Sequence, residues 1–255
     1  MKERFLSFFR RTGLGVPYLS RILGVRVRLH YTWLLAFVFV TAAVITQFST
    51  DYSLRYRIIL GLAASVLFFL GIITREFILN FIAINRGITV KRVTLFAFGA
   101  VREVDKESTR PSVDLLLAVI GMLINLVIAG IFFVIYTAFA ATGHIVINVL
   151  VQWLAFIYLM LTFFHLIPGF PLDMGRVLRA LLWKLTGNYE KMTRISGWLG
   201  WIFGVIVAAG GVWLLVRTEE WFTGVFLLCI GLILQNAATH SRRNLSPGYS
   251  EEPAK

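Results

Sequence analysis

Two charged residues stand inside a stretch that is otherwise apolar: Arg75 and Glu76, in GIITREFILNF. A charged side chain at membrane depth costs at least ~2.5 kcal/mol to insert, so such a pair marks a functional site by default, facing a protein interior or a water-filled cavity. The plainer reading is that both lie near a helix end and snorkel to the interface. Arg86 marks the expected helix end, about 16 Å further along at helical rise, which favours the interior. Asp173 is the second candidate. It follows Pro168 and Pro171 in HLIPGFPLDMGRVLRALL. The prolines block a helix and predict an extended chain. Asp173 then stands at the expected N-cap of the next helix, where it can satisfy free backbone N–H groups and still face a site.

The remaining candidates are weaker. His30, His144, His165 and His240 each lie near a segment end, and no two are spaced to share a helix face. They read as interfacial or capping residues before metal ligands. Gly121 and Asn125, at i and i+4 in VIGMLINLVIAG, read as close helix packing through glycine, with Asn125 as an interhelical hydrogen bond.

The elements that must position these residues are membrane helices. Hydrophobic residues make up 58% of the chain and charged residues 15%, against about 25% charged in a soluble domain; the mean hydropathy of +0.79 agrees. Apolar runs at Tyr31–Phe48, Ile58–Phe81, Leu115–Ala140, Ile145–Leu166, Gly197–Val216 and Trp221–Leu234 are mostly near the ~20 residues a spanning helix needs. The last is short. The net charge of +12 falls in the connections between runs, which is the positive-inside pattern and calls for no nucleic acid. Basic and non-basic connections alternate, so both termini are expected in the cytoplasm and the span count is even. The stretch Thr89–Val104 (TVKRVTLFAFGAVREV) has a strand or hairpin pattern with Gly99 near its centre. Phe5–Phe9 is read as an amphipathic piece on the membrane surface. No cleavable signal peptide is expected. Cys229 is the only cysteine, so no intramolecular disulfide forms. One membrane-embedded domain over residues 1–240 is expected, with a polar tail over 241–255.

The order of these features resembles the site-2 protease family of intramembrane zinc metalloproteases, from about Val25 to Ala180. FPLDMGRVLRALL is similar to the family's third-ligand segment through Pro168, Pro171, Leu172, Asp173 and Gly175. RGITVKRVTLFAFGAV resembles its sheet segment, with Gly87, Leu95, Phe98 and Gly99 in place. Gly121 and Asn125 match its third helix, and His30 and Trp33 the start of its first. The implied fold is an all-α polytopic membrane protein: about six transmembrane helices with a small membrane-edge β-sheet on the cytoplasmic side. The implied location is the cell membrane, multi-pass, and no appended regulatory domain is expected.

The resemblance also implies HExxH on the second helix, two histidines on one face holding zinc and a glutamate activating water. Here that stretch reads Arg75-Glu76-Phe77-Ile78-Leu79. Glu76 keeps the position of the general base, and Arg75 and Leu79 hold those of the histidines. Arginine has no lone pair for zinc, and leucine offers nothing. Asp173 is the only retained ligand position, and a single carboxylate cannot hold catalytic zinc. His165 replaces an asparagine, Met174 a glycine and Met122 a proline. The paired change suggests that Arg75 stands in for the metal as the local cation for Asp173, with Leu79 filling the space of the second imidazole. The expectation is a non-catalytic pseudoprotease with Glu76 inactive and no cofactor. Its partners would be membrane lipid and a transmembrane segment of another protein, held by strand addition near Thr94–Val101 or by helix packing. One alternative is an active zinc protease with substituted ligands: His165 and Asp173 with Glu76 would make an N/O/O site, at the loss of the general base. The other is a transporter, against which stand few intramembrane charges and no inverted repeat.

Overall fold

Long proline-free apolar runs leave the backbone no hydrogen-bonding partners in lipid except its own, so they fold as helices. The computed structural model describes residues 21–22, 25–29, 31–47, 52–96, 99–104, 110–140 and 145–243. In chain order these form β1 (Arg21–Ile22), β2 (Val25–Leu29), α1 (Tyr31–Gln47), α2 (Leu54–Asn85), β3 (Val90–Phe96), β4 (Gly99–Val104), α3 (Pro111–Ala140), α4 (Ile145–His165), α5 (Asp173–Thr186), α6 (Tyr189–Arg217) and α7 (Trp221–Arg243). Phe5–Phe9, His30, Phe98, the turn Ala141–His144 and the tail beyond Arg243 lie outside the described residues. Five helices (α2, α3, α4, α6 and α7) are long and apolar enough to cross a bilayer, and α1 holds a shorter apolar stretch, Trp33–Thr46. The chain is a multi-pass membrane protein.

The final helix does not stop at Leu234. It runs on to Arg243, because Gln235 to Thr239 contain nothing that breaks a helix. The Thr89–Val104 stretch forms β3 and β4, and the two short strands upstream join them in one sheet of order β1-β2-β3-β4. β1–β2 and β3–β4 pair antiparallel. β2 and β3 pair parallel, with Val27 opposite Val93, a connection that needs a long crossover; α1 and α2 supply it.

The backbone divides into two compact units, Met1–Thr109 with Phe132–Leu154, and Arg110–Ile131 with Ala155–Lys255. In the first, α1 and α2 are joined by a Thr41–Ser65 hydroxyl contact of 2.7 Å. Gly61 lies so near the Thr41 carbonyl that a Cβ would come within 2.9 Å of it. Arg57 donates from Nε (3.1 Å) and Nη2 (2.8 Å) to the Ile45 carbonyl, satisfying an orphan acceptor at the end of α1. Val93 and Leu95 of β3 pack on Trp33 and Ile73.

In the second unit α6 and α7 meet backbone to backbone. A Cβ on Gly204 would stand 2.8 Å from the Gln235 nitrogen, and one on Gly211 would stand 2.7 Å from the Gly224 oxygen. Small residues permit this approach, and the close packing replaces the hydrophobic drive that lipid does not provide.

Candidate functional site

On α2, in the first unit, Arg75 and Glu76 are both 3% exposed and Leu79 is 0% exposed. Their side chains are buried within protein, so Arg75 does not snorkel. Its guanidinium is ion-paired with the Glu76 carboxylate. A buried charge persists when it is paired, and the neighbouring residue provides the partner here. Leu79 completes this face as packed hydrocarbon. Gly99, singled out with the sheet segment, is the first residue of β4.

In the second unit the site is built around the break between α4 and α5. The expected extended chain over Pro168 and Pro171 is instead a run of tight turns. Leu166 N–H donates to Phe163 (3.0 Å), Gly169 N–H to Ile167 (2.8 Å) and Leu172 N–H to Gly169 (2.9 Å). An unpaired extended segment would leave these donors orphaned, and turns satisfy them locally. The segment is also fastened to α6. Phe170 N–H donates to the Ser196 carbonyl at 3.0 Å, and the Ser196 hydroxyl donates to the Gly175 carbonyl at 2.7 Å. A Cβ on Gly200 would fall on the Phe170 carbonyl, and one on Gly175 on the Gly169 backbone. Gly175 is therefore required by packing.

The N-cap of α5 is Leu172, in extended backbone, and Asp173 is the first helical residue. Asp173 still sits where the helix dipole favours an acid, but its carboxylate serves a side-chain network. His165 Nδ1 lies 3.0 Å from Asp173 Oδ2. The two are close but misaligned, since neither ring nitrogen of His165 meets hydrogen-bond geometry with any partner. The imidazole and the carboxylate touch without forming a hydrogen bond. Arg176 reaches Asp173 Oδ1 at 3.7 Å and Asp114 Oδ1 at 3.4 Å. Arg179 binds Asp114 Oδ2 through Nε at 3.1 Å and Nη2 at 2.6 Å, and its guanidinium lies 5.2 Å from the ring centroids of Phe170 and of Tyr189. Burial pulls the Arg179 pKa down; the Asp114 carboxylate and then Tyr189 outweigh that and raise it above its ordinary value. Two carboxylates and two guanidiniums are thus joined in one network.

His165, Asp173, Pro168, Pro171 and Gly175 all belong to this one constellation. Asn125 is wholly buried on α3, and both its amide atoms lack a hydrogen-bond partner. Among the described residues the interhelical bond expected there has no partner, and a buried amide left so costs about 1–3 kcal/mol. Sequence reasoning missed Asp114, Ser196 and Gly200, and counted Arg176 and Arg179 only as loop charges. The one available signal was Asp114 itself, an acid at the start of a strongly apolar helix.

A catalytic zinc needs three protein ligands and an open position. Among the described residues no three His, Cys, Asp or Glu side chains converge. The second unit brings together one imidazole and one carboxylate, with Arg176 beside the latter. Within the second unit, the described residues supply two of the three ligands such a centre needs.

No protein-family model matches this chain. A Synechocystis sp. protein that carries a zinc metalloprotease name is 31% identical over 72% of this chain and 48% of its own length. Rip3 of Mycobacterium tuberculosis, also named as a zinc metalloprotease, is 29% identical over 91% of this chain and 65% of its own. A zinc metalloprotease of Methanocaldococcus jannaschii is 29% identical over 76% of this chain and 53% of its own. The chain thus spans from 48% to 65% of the length of these relatives. The solved site-2 protease from Methanocaldococcus jannaschii superposes with a TM-score of 0.68 at 25% identity, covering 93% of this chain and 98% of that one. Near-complete coverage in structure, together with relatives that share the zinc metalloprotease name, means that this chain belongs to the site-2 protease family.

Proposed function

We propose that the chain is a non-catalytic member of its family, a membrane scaffold that holds a transmembrane segment of another protein. The observation that carries this reading is the α2 face: Leu79 is buried hydrocarbon, and Arg75 occupies the Glu76 carboxylate. A general base must be free to reach the proton it takes, and a guanidinium in contact stands in the way. The held segment would add to β4, the edge of the sheet, with Thr94–Val101 as the region of contact, or pack against helices.

The same reading takes α1 as a sixth span. β2 precedes α1 and β3 follows α2, yet the two strands are hydrogen-bonded. Bonded strands lie on one side of a bilayer, so α1 and α2 together make an even number of crossings. α2 is long enough to cross, and α1 then crosses with it. The positive-inside pattern supports a sheet at the cytoplasmic membrane edge of the cell membrane and both termini in the cytoplasm.

A second reading keeps the His165–Asp173 contact as two ligands of a zinc protease with substituted residues; the names of the relatives favour it. Zinc content of the full chain in detergent, after a mild chelator wash, separates the two. Less than about one zinc per ten chains is expected, far from the one per site of a structural or catalytic centre. Near-stoichiometric zinc that is lost on His165→Ala or Asp173→Ala would overturn the scaffold reading.

A further inference from the structure

α5 buries one face and leaves an unusual opposite one. Asp173, Gly175, Val177, Arg179 and Ala180 point inward. At its far end Leu181 is 45% and Leu185 82% exposed, with Lys184 exposed between them. Positions i, i+3 and i+4 share a face, so two leucines flank one lysine on the same outward surface. Gly187, with φ of 71°, then ends α5, and the Asn188 side chain caps α6 by accepting the Lys191 N–H at 2.9 Å.

The first turns of α6 continue the pattern. Lys191 and Arg194 are exposed, and Trp198, one turn further, is 49% exposed. Beyond it Ile202 and Ile206 are 44% and 58% exposed. Along one face the chain therefore passes from cations through tryptophan to aliphatic residues. Tryptophan favours the membrane–water interface. From Trp198 to the exposed Trp213 the helix rises about 22 Å, within a hydrocarbon core of about 30 Å. That sets Lys191 and Arg194 at headgroup depth. None of Lys184, Lys191 and Arg194 has an ion-pair partner among the described residues. The only acid between Asp173 and Trp198 is Glu190, which is half-buried. Arg176 and Arg179, by contrast, are ion-paired with Asp114.

We propose that the α5–α6 corner is a contact site for anionic phospholipid headgroups. Lys184, Lys191 and Arg194 take the phosphates, while Leu181 and Leu185 enter the acyl boundary beside them. The positive-inside pattern asks only for cations on this side of the membrane. Outward leucines beside exposed cations go further, since that is the surface of an interfacial helix. A cation near an anionic surface enriches it by roughly fivefold, so the three together give on the order of 10²-fold at low salt.

The test uses the full chain dispersed with equal phosphatidylcholine and phosphatidylglycerol, purified, and assayed for the ratio of the two lipids retained. Wild type should retain phosphatidylglycerol in several-fold excess. The excess should fall to within about twofold of parity in Lys184→Gln/Lys191→Gln/Arg194→Gln, and should drop in Leu181→Ser/Leu185→Ser, which changes no charge. Arg55→Gln/Arg86→Gln/Arg110→Gln removes the same charge from exposed positions elsewhere and should keep the excess. All these positions are exposed, and elution and melting confirm that each variant is folded. An excess that survives the first triple change, or falls equally in the control, would overturn the site.

Discussion

Asp114→Asn would remove the carboxylate that a buried guanidinium, Arg179, shares with a part-buried one, Arg176. Breaking a buried ion pair from one side costs about 3–5 kcal/mol, because the remaining charge is left uncompensated. Arg179 argues for the upper end: it is 7% exposed and binds Asp114 through two nitrogens, at 3.1 and 2.6 Å. Arg176 argues for the lower, since it keeps Asp173 at 3.7 Å and is 14% exposed at its side chain. The asparagine oxygen also still accepts one hydrogen bond. A loss near 3 kcal/mol follows, which for a chain of this size lowers the melting midpoint by about 6–12 °C. Thermal unfolding in detergent, followed by tryptophan emission, measures it. Asp114→Leu with Arg179→Met removes both charges and keeps the volume, so more than half of the loss should return. The reasoning is refuted by a midpoint within about 1 °C of wild type for Asp114→Asn, or by a double variant no better than the single one.

Arg75→Met should lower the unfolding free energy by about 3–5 kcal/mol, because it takes a buried cation from beside Glu76; adding Glu76→Gln should restore part of it, and failure to do so would show that the pair is not coupled. Gly200→Ala should prevent the Pro168–Gly175 segment from docking on α6, since the new methyl meets the Phe170 carbonyl; the expected result is a loss above about 3 kcal/mol, read as early protease cleavage in that segment.

How much of this was legible depended on range. The spans were legible because each is a local run of apolar residues, and the break after His165 because proline acts on its immediate neighbours. Arg75 and Glu76 stood out against apolar surroundings. The ion cluster was hidden: Asp114 meets its partners across 62 and 65 residues, and nothing local distinguishes Arg179 from an ordinary cytoplasmic cation. β2 was hidden differently. Its VRVRL alternation is a strand pattern, but its arginines also fit a basic loop. The turns at 166–172 were misjudged because the prolines exclude a helix without choosing between an extended chain and turns. Tertiary partners made that choice, Ser196 among them.

The seam between α6 and α7 has a consequence for motion. Membrane proteins change state by sliding or rotating one helix past another, and side chains cushion such moves by changing rotamer. Where Gly204 meets Gly231 and Gly211 meets Gly224, backbone faces backbone, with the Leu215 side chain alone packed against Gly224 among the close contacts. A small rotation would drive a neighbour's side chain into backbone, so the two helices move as one body or separate altogether. The segment that presents Asp173 is tied to α6 by the Phe170 and Ser196 hydrogen bonds, so it is carried with that body.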